Sequence, residues 1–278
     1  MKRVLRPLLV LHSDAAFREA VREACGEDYQ FTELADWRAL DEGIREAPPG
    51  SMAVVDPYAS ADGAVRQRTP SSELRDMLTA YPSTPFVAAL EMRVEAHEDV
   101  RLLERWGVVQ VVAIGHDDTV VAISRRLRSA RGRPMRALLE QVLPPETSGR
   151  ARAIIDAAAD VVMMGEHGRD LAETLNLSRR TLLRWSERAG LPPPRRLLAW
   201  MRILLACELL DDPGRSVLSV AHSAGYASDS GLRRITQKFL RASPTELRET
   251  GAFRRAATAF VTVLNETRGQ VRVATREG

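Results

Sequence analysis

Over the first 130 residues, short apolar runs alternate with stretches whose apolar positions recur at helical spacing. Leu8–Leu11, Gln30–Leu34, Met52–Val55, Pro85–Leu90 and Val108–Ile114 predict five strands. Ala15–Cys25, Trp37–Glu46, Ser72–Ala80, His97–Trp106 and Thr119–Arg128 predict five helices between and after them. In the first helix Phe17, Ala20, Val21 and Ala24 share one face. Pro48-Pro49-Gly50 ends the second helix, and Asp56-Pro57 ends the third strand. Regular alternation of strand and helix predicts an α/β domain over residues 1–130, with a five-stranded doubly wound parallel sheet.

The pattern breaks at Arg131-Gly132-Arg133-Pro134 and again at Pro144–Gly149, around a short helix at Met135–Leu143. Two turn-rich breaks mark residues 131–149 as a linker. From there the periodicity is helical only. Arg150–Met164 is amphipathic and stops at Gly165-Glu166-His167-Gly168, where His167 reads as a loop residue with no partner at metal-ligand spacing.

One local design then occurs twice. A short apolar helix (Asp170–Leu175, then Val217–Ala224) meets a tight turn (Asn176-Leu177, then Gly225-Tyr226). A serine, Ser178 or Ser228, caps the next helix, Arg179–Arg188 or Asp229–Leu240. Each pair reads as a helix-turn-helix. Leu182 and Trp185 face inward in the first pair, and Leu232, Ile235, Phe239 and Leu240 in the second. The long helix between the pairs starts at Pro192–Pro194 and stops at Asp211-Asp212-Pro213-Gly214. It spans roughly 24 Å, and with the radius of a reading unit at each end this approaches one DNA turn, about 34 Å. Leu204 and Leu205 stand where polar residues are common, so either another surface covers them or they belong to the core. Residues 150–250 are thus predicted to be an all-α double helix-turn-helix domain. Residues 251–278 add an amphipathic helix, Ala252–Leu264, and a mobile tail.

Charge sharpens the division. Residues 1–130 carry 16 basic and 21 acidic side chains, whereas residues 150–250 carry 16 basic and 12 acidic ones. An acidic front and a basic back fit a regulatory domain joined to a nucleic-acid-binding domain. No apolar run reaches the roughly 18 residues of a membrane span, and the basic start leads into a strand rather than a signal peptide. A cytoplasmic protein with no membrane partner is expected. Cys25 and Cys207 lie far apart in helical patterns and read as core residues. No nucleophile–base pair, metal cluster or phosphate loop points to an enzyme, a metal site or a small cofactor.

The element order and Asp56 of residues 5–130 resemble the receiver domain of bacterial response regulators. That resemblance places the phospho-acceptor at Asp56, at the end of the third strand. The acidic metal-binding pair falls on His12 and Ser13, with Asp14 beside them; the threonine position falls on Leu90 and the lysine position on Ile114. Phosphoryl transfer needs a cation against the developing charge. A pseudo-receiver is therefore expected, with the outer faces of the fourth and fifth helices (Arg101, Glu104, Arg105, Arg125, Arg126, Arg128) as candidate dimer or partner surfaces.

Residues 148–250 resemble the AraC/XylS family of transcription regulators. The resemblance rests on Ser178-Arg179-Arg180-Thr181-Leu182-Leu183-Arg184 in the first unit and on Arg202-Ile203, Ala206, Leu209-Leu210 and Asp212-Pro213 in the long helix. The second unit adds Val220-Ala221, Gly225-Tyr226, Ser230, Leu232, Arg234 and Ser243-Pro244. The departures are Thr236 for an aromatic residue, Arg241 for glycine and Ser186 at a core position.

The implied partner is double-stranded DNA, read by a homodimer that also contacts RNA polymerase; the effector is left open. Arg180 and Arg184, one helical turn apart, suit guanine edges, and Arg179 and Arg188 suit phosphate. Ser178 and Thr181 complete the first surface, and Ser228, Ser230, Arg233, Arg234, Gln237 and Lys238 form the second. Asp229 at the tip of the second reading helix repels phosphate and favours the first unit as the stronger reader. The alternatives are a response regulator switched by phosphorylation of Asp56 and a protein-interaction adaptor with weakened DNA binding.

Overall fold

The computed structural model describes residues 6–26, 29–48, 50–60, 67–93, 96–130, 139–140, 142–163 and 168–274. His167, the break at 131–134 and most of the short helix expected at 135–143 lie outside them. The chain forms two compact units. The first holds Met1–Arg133 together with Asp212–Ser219, and the second holds Pro134–Asp211 and Val220–Gly278.

In the first unit β1 (Arg6–Leu11), β2 (Tyr29–Glu33), β3 (Met52–Val55), β4 (Phe86–Glu91) and β5 (Gln110–Ile114) form one parallel sheet in the order β2-β1-β3-β4-β5. Its register includes Leu8 against both Phe31 and Met52, and Val87 against Gln110. All four residues of β3 are buried, because helices cover both faces of a parallel sheet. Alternate side chains serve opposite cores. Leu9, Leu11, Val55 and Ala88 pack with α2 (Trp37–Glu46), α3 (Ser72–Ala80) and α4 (Ala96–Trp106). Leu8, Val10, Val54 and Val87 pack with α1 (Ala15–Cys25) and α5 (Val120–Ala130). Cys25 and Cys207 are both free and buried.

The segment Asp212–Ser219 carries a buried ion pair of this unit. Asp212 is 0% exposed and Arg215 is 3% exposed, with Arg215 Nε 3.1 Å from Asp212 Oδ2. Asp212 also accepts hydrogen bonds from Ser83 N–H at 3.0 Å and from the Ser83 hydroxyl at 2.5 Å. Arg215 Nη1 donates to the carbonyls of Arg45 and Ala47 at 3.3 and 3.1 Å. Gly214 lies against Tyr81, where a Cβ would come within 2.5 Å of the ring. Asp212-Pro213-Gly214 is therefore more than the helix stop expected from sequence.

The second unit is helical, with α6 (Gly149–Met163), α7 (Gly168–Thr174), α8 (Arg179–Arg188), α9 (Pro194–Leu210), α10 (Val217–Ser223, from Val220 on), α11 (Asp229–Leu240), α12 (Pro244–Thr250) and α13 (Ala252–Ala274). The long helix α9 is its centre and packs against α6, α12 and α13. Leu204 and Leu205 are buried there, so helices of this unit supply core packing around α9. The helix begins at Pro194, two residues later than the first proline suggests, because proline suits a first helical turn. No helix among the described residues is long and apolar enough to cross a membrane.

The C-terminal helix corrects the sequence expectation. It runs to Ala274, ten residues past Leu264, through a stretch expected to be a mobile tail. Side-chain anchoring explains the extension. Arg268 Nη2 donates to Thr147 Oγ1 at 2.9 Å, and its Nη1 lies 3.8 Å from Glu146. A Cβ on Gly190 would come within 2.6 Å of Arg268 Cγ, so glycine at that turn lets α13 approach closely.

Candidate nucleic-acid interface

The first reading unit is built from α7 and α8. The turn between them uses Asn176 at φ 51°, a left-handed conformation that asparagine tolerates. Leu177 N–H closes the turn onto the Ala172 carbonyl at 2.8 Å. Ser178 caps α8, its hydroxyl oxygen accepting from Thr181 N–H at 3.1 Å and pairing with the Thr181 hydroxyl at 2.8 Å. Leu182 and Ser186 are buried, whereas Trp185 is only half-buried, beneath the Arg150 guanidinium at 4.8 Å. The buried Ser186 Oγ has no hydrogen-bond partner among the described residues.

Arg179, Arg180, Arg184 and Arg188 are all exposed. None of the four has an ion-pair partner among the described residues, leaving their guanidinium groups available for anions and base edges. Leu183, unassigned from sequence, is 42% exposed beside this row. The signal for it was its position between Arg180 and Arg184. An exposed apolar side chain there suits contact with a thymine methyl.

The second unit follows the same plan with weaker terms. Val220 and Ala221 anchor α10, and Gly225 takes φ 80° in the turn. Tyr226 donates its N–H to the Ala221 carbonyl at 2.8 Å, and burial pushes its phenol up to about 12. Ser228 caps α11 by accepting from Gly231 N–H at 3.2 Å. Ser230, Arg233, Arg234, Gln237 and Lys238 are exposed. Arg233, however, lies 3.6 Å from Asp229, so part of its charge is already answered. Leu232, Thr236 and Leu240 are buried, while Ile235 and Phe239 are half-buried rather than fully inward. The Thr236 hydroxyl donates to the Arg233 carbonyl at 3.1 Å. Arg241 ends the helix at φ 56°, where glycine would be unstrained. A capping box of Ser243 and Glu246 opens α12, and the Ser243 N–H holds the Glu246 carboxyl below its usual range.

The positions matched to receiver chemistry are occupied otherwise. Asp56 is fully buried, and its Oδ1 accepts from Tyr58 N–H at 3.0 Å, an Asx turn that carries the chain past Pro57. Asp14 caps α1 through Ala16 and Phe17 N–H at 2.8 and 3.1 Å. His12 is buried, its Nδ1 accepting from Asp14 N–H at 3.1 Å. Leu90 is fully buried in the sheet core. Among the described residues no group of three or more His, Cys, Asp and Glu is arranged to hold a metal ion. Of the six outer-face residues, Arg126 is half-buried and bound to Asp117 at 2.5 Å, which lowers the Asp117 carboxyl; the other five are exposed.

The model of a helix-turn-helix domain matches residues 171–250. Full-length FixJ from B. japonicum is 15% identical, with 84% of this chain and 96% of that chain covered at a TM-score of 0.37. The xylose-binding transcription activator XylR is 11% identical, with 90% of this chain and 100% of that chain covered at a TM-score of 0.36. No curated protein matches the chain. Over residues 171–250 the chain is thus similar to helix-turn-helix domains.

Proposed function

We propose that this protein is a sequence-specific transcription regulator that reads two successive major grooves, with α8 as the stronger reader and α11 as the weaker. The observation that carries this is the row Arg180, Leu183 and Arg184 on a Ser178-capped helix, exposed and without ion-pair partners among the described residues. Arg180 and Arg184 take guanine edges, Leu183 takes a thymine methyl, and Arg179 and Arg188 take phosphates. Thr181 and Ser178 preorganise the first turn of the helix. In the second unit Arg234, Gln237 and Lys238 contribute alongside Ser228, Ser230 and an Arg233 that Asp229 partly neutralises.

The α/β unit serves dimerisation or signal input without phosphoryl transfer. Three features support this: a buried Asp56 engaged in its own turn, Asp14 committed to capping α1, and Leu90 and Ile114 at the positions that the receiver resemblance gives to threonine and lysine. Selection from a random DNA pool with the full chain tests the reading. The expected product is a defined site with two elements about 10 base pairs apart. In parallel, incubation with a small phosphoryl donor and Mg²⁺ should leave the intact mass unchanged. A phosphoryl adduct on Asp56 that raised DNA affinity would replace this reading with a phosphorylation switch.

A further inference from the structure

The helical unit holds a cleft that shares only Lys238 with the proposed DNA-reading residues. It has a volume of about 610 Å³ and is lined by Arg196 and Trp200 of α9, Lys238 and Phe239 of α11, and Ala259, Thr262 and Val263 of α13. That volume lies within the range of small-molecule sites, roughly 300–1,000 Å³. Its floor is aromatic. Trp200 is 2% exposed and meets Phe239 edge-on at 5.0 Å and Phe260 at 5.8 Å.

The lining is also one-signed. Arg196 and Lys238 are its charged members, and no carboxylate lines it among the described residues. Lys238 Nζ sits 5.9 Å over the Phe239 ring, and neither cation has an ion-pair partner among the described residues. The wall contains an unused donor as well: the buried Trp200 Nε1–H has no hydrogen-bond partner among the described residues.

We infer that this cleft binds a small amphiphilic anion, with an aromatic or alkyl body and a single carboxylate. The body lies against Trp200, Phe239 and Val263. The carboxylate is held by Lys238 and Arg196 through charge-assisted hydrogen bonds. Because Lys238 belongs to α11, an occupied cleft takes this cation away from DNA and ties the second reading helix to a ligand. That consequence rests on the proposed function; the binding itself does not.

The test uses the full-length protein labelled at the tryptophan indoles, without DNA, titrated with 2-naphthoate, decanoate and the neutral 2-naphthylmethanol. Both carboxylates should bind saturably and shift the Trp200 indole resonance, assigned by Trp200→Phe, ahead of those of Trp37, Trp106 and Trp185. Lys238→Ala and Arg196→Ala, both at exposed positions, should each weaken 2-naphthoate about tenfold, and the neutral analogue should bind at least tenfold less well. Thr262→Trp, which fills the cleft from its exposed side, should abolish binding while leaving the circular dichroism spectrum and melting temperature unchanged. The inference is overturned by equal shifts at all four indoles, by equal affinity for the neutral analogue, or by unaltered binding in the Lys238→Ala/Arg196→Ala double variant. It is likewise overturned if the Trp200 resonance shifts with protein concentration alone, which would make a second copy of the chain the occupant. Loss of DNA affinity in the double variant without any 2-naphthoate binding would assign both cations to phosphate and also overturn it.

Discussion

Replacing Arg215 by methionine tests the buried ion pair of the first unit most sharply. The substitution keeps the length and apolar stem of the side chain but removes a guanidinium that is 3% exposed. It deletes the contact to Asp212 at 3.1 Å and leaves the Arg45 and Ala47 carbonyls without this donor. The Asp212 carboxylate, 0% exposed, then keeps Ser83 as its side-chain partner among the described residues. Breaking a buried pair by removing one partner costs about 3–5 kcal/mol, because the remaining charge is uncompensated. For a unit of this size that lowers the melting temperature by on the order of 10 °C or more.

The pH dependence has a defined sign. Burial already holds the Asp212 carboxyl above its ordinary value, against the lowering effects of Ser83 and Arg215. Removing Arg215 raises it further. An acid whose folded pKa is raised loses stability as pH rises, so the deficit of Arg215→Met relative to the parent is smallest near pH 4 and grows toward neutrality. The double variant Asp212→Asn/Arg215→Met removes the buried charge while keeping an acceptor for Ser83, and should recover about half of the loss. Calorimetry gives the unfolding of the unit, and hydrogen exchange at the Ser83 amide gives the local contact. A single variant within about 0.5 kcal/mol of the parent, with Ser83 protection unchanged, would refute the reasoning.

Two further perturbations follow from local geometry. Ser178→Ala removes the cap of α8 and should destabilise the second unit by about 1 kcal/mol, read from chemical denaturation, while Ser178→Asp should retain most of that stability. Arg241→Gly relieves the left-handed conformation at the end of α11 and should stabilise by about 1 kcal/mol, provided the exposed guanidinium makes no contact of its own; a loss of stability would show that it does.

Much of the architecture was legible in the sequence because burial on both sides of a parallel sheet leaves continuous apolar runs. Met52–Val55 and the helices α1, α2, α3, α8 and α11 have the bounds that their periodicity and caps suggest. Strand ends were less legible. β5 starts at Gln110 rather than Val108, because the Val108 N–H is held by the Leu103 carbonyl at the end of α4. The last ten residues of α13 are mostly polar, with Val271 and Val273 as their larger apolar residues, and Arg268 anchors them through polar contacts to residues distant in sequence. The same holds for Arg215, whose partners lie about 170 residues away in the chain. At the candidate interface the arginine row was readable from spacing alone. Leu183 is not legible as a contact residue, because an apolar residue in a helix reads as core until its exposure is known. The cleft beside Trp200 was invisible for a related reason: it is formed by three helices brought together only by the fold.

The most direct measurement is base-by-base affinity of the full-length protein for its selected DNA site, compared with Arg180→Ala and Arg184→Ala. Each variant should lose about 1–3 kcal/mol and lose discrimination at one base position, with the other positions still read. Arg179→Ala should instead weaken all sequences alike and reduce the salt slope by about one. Uniform weakening by Arg180→Ala and Arg184→Ala, or no change in either, would contradict base reading by α8.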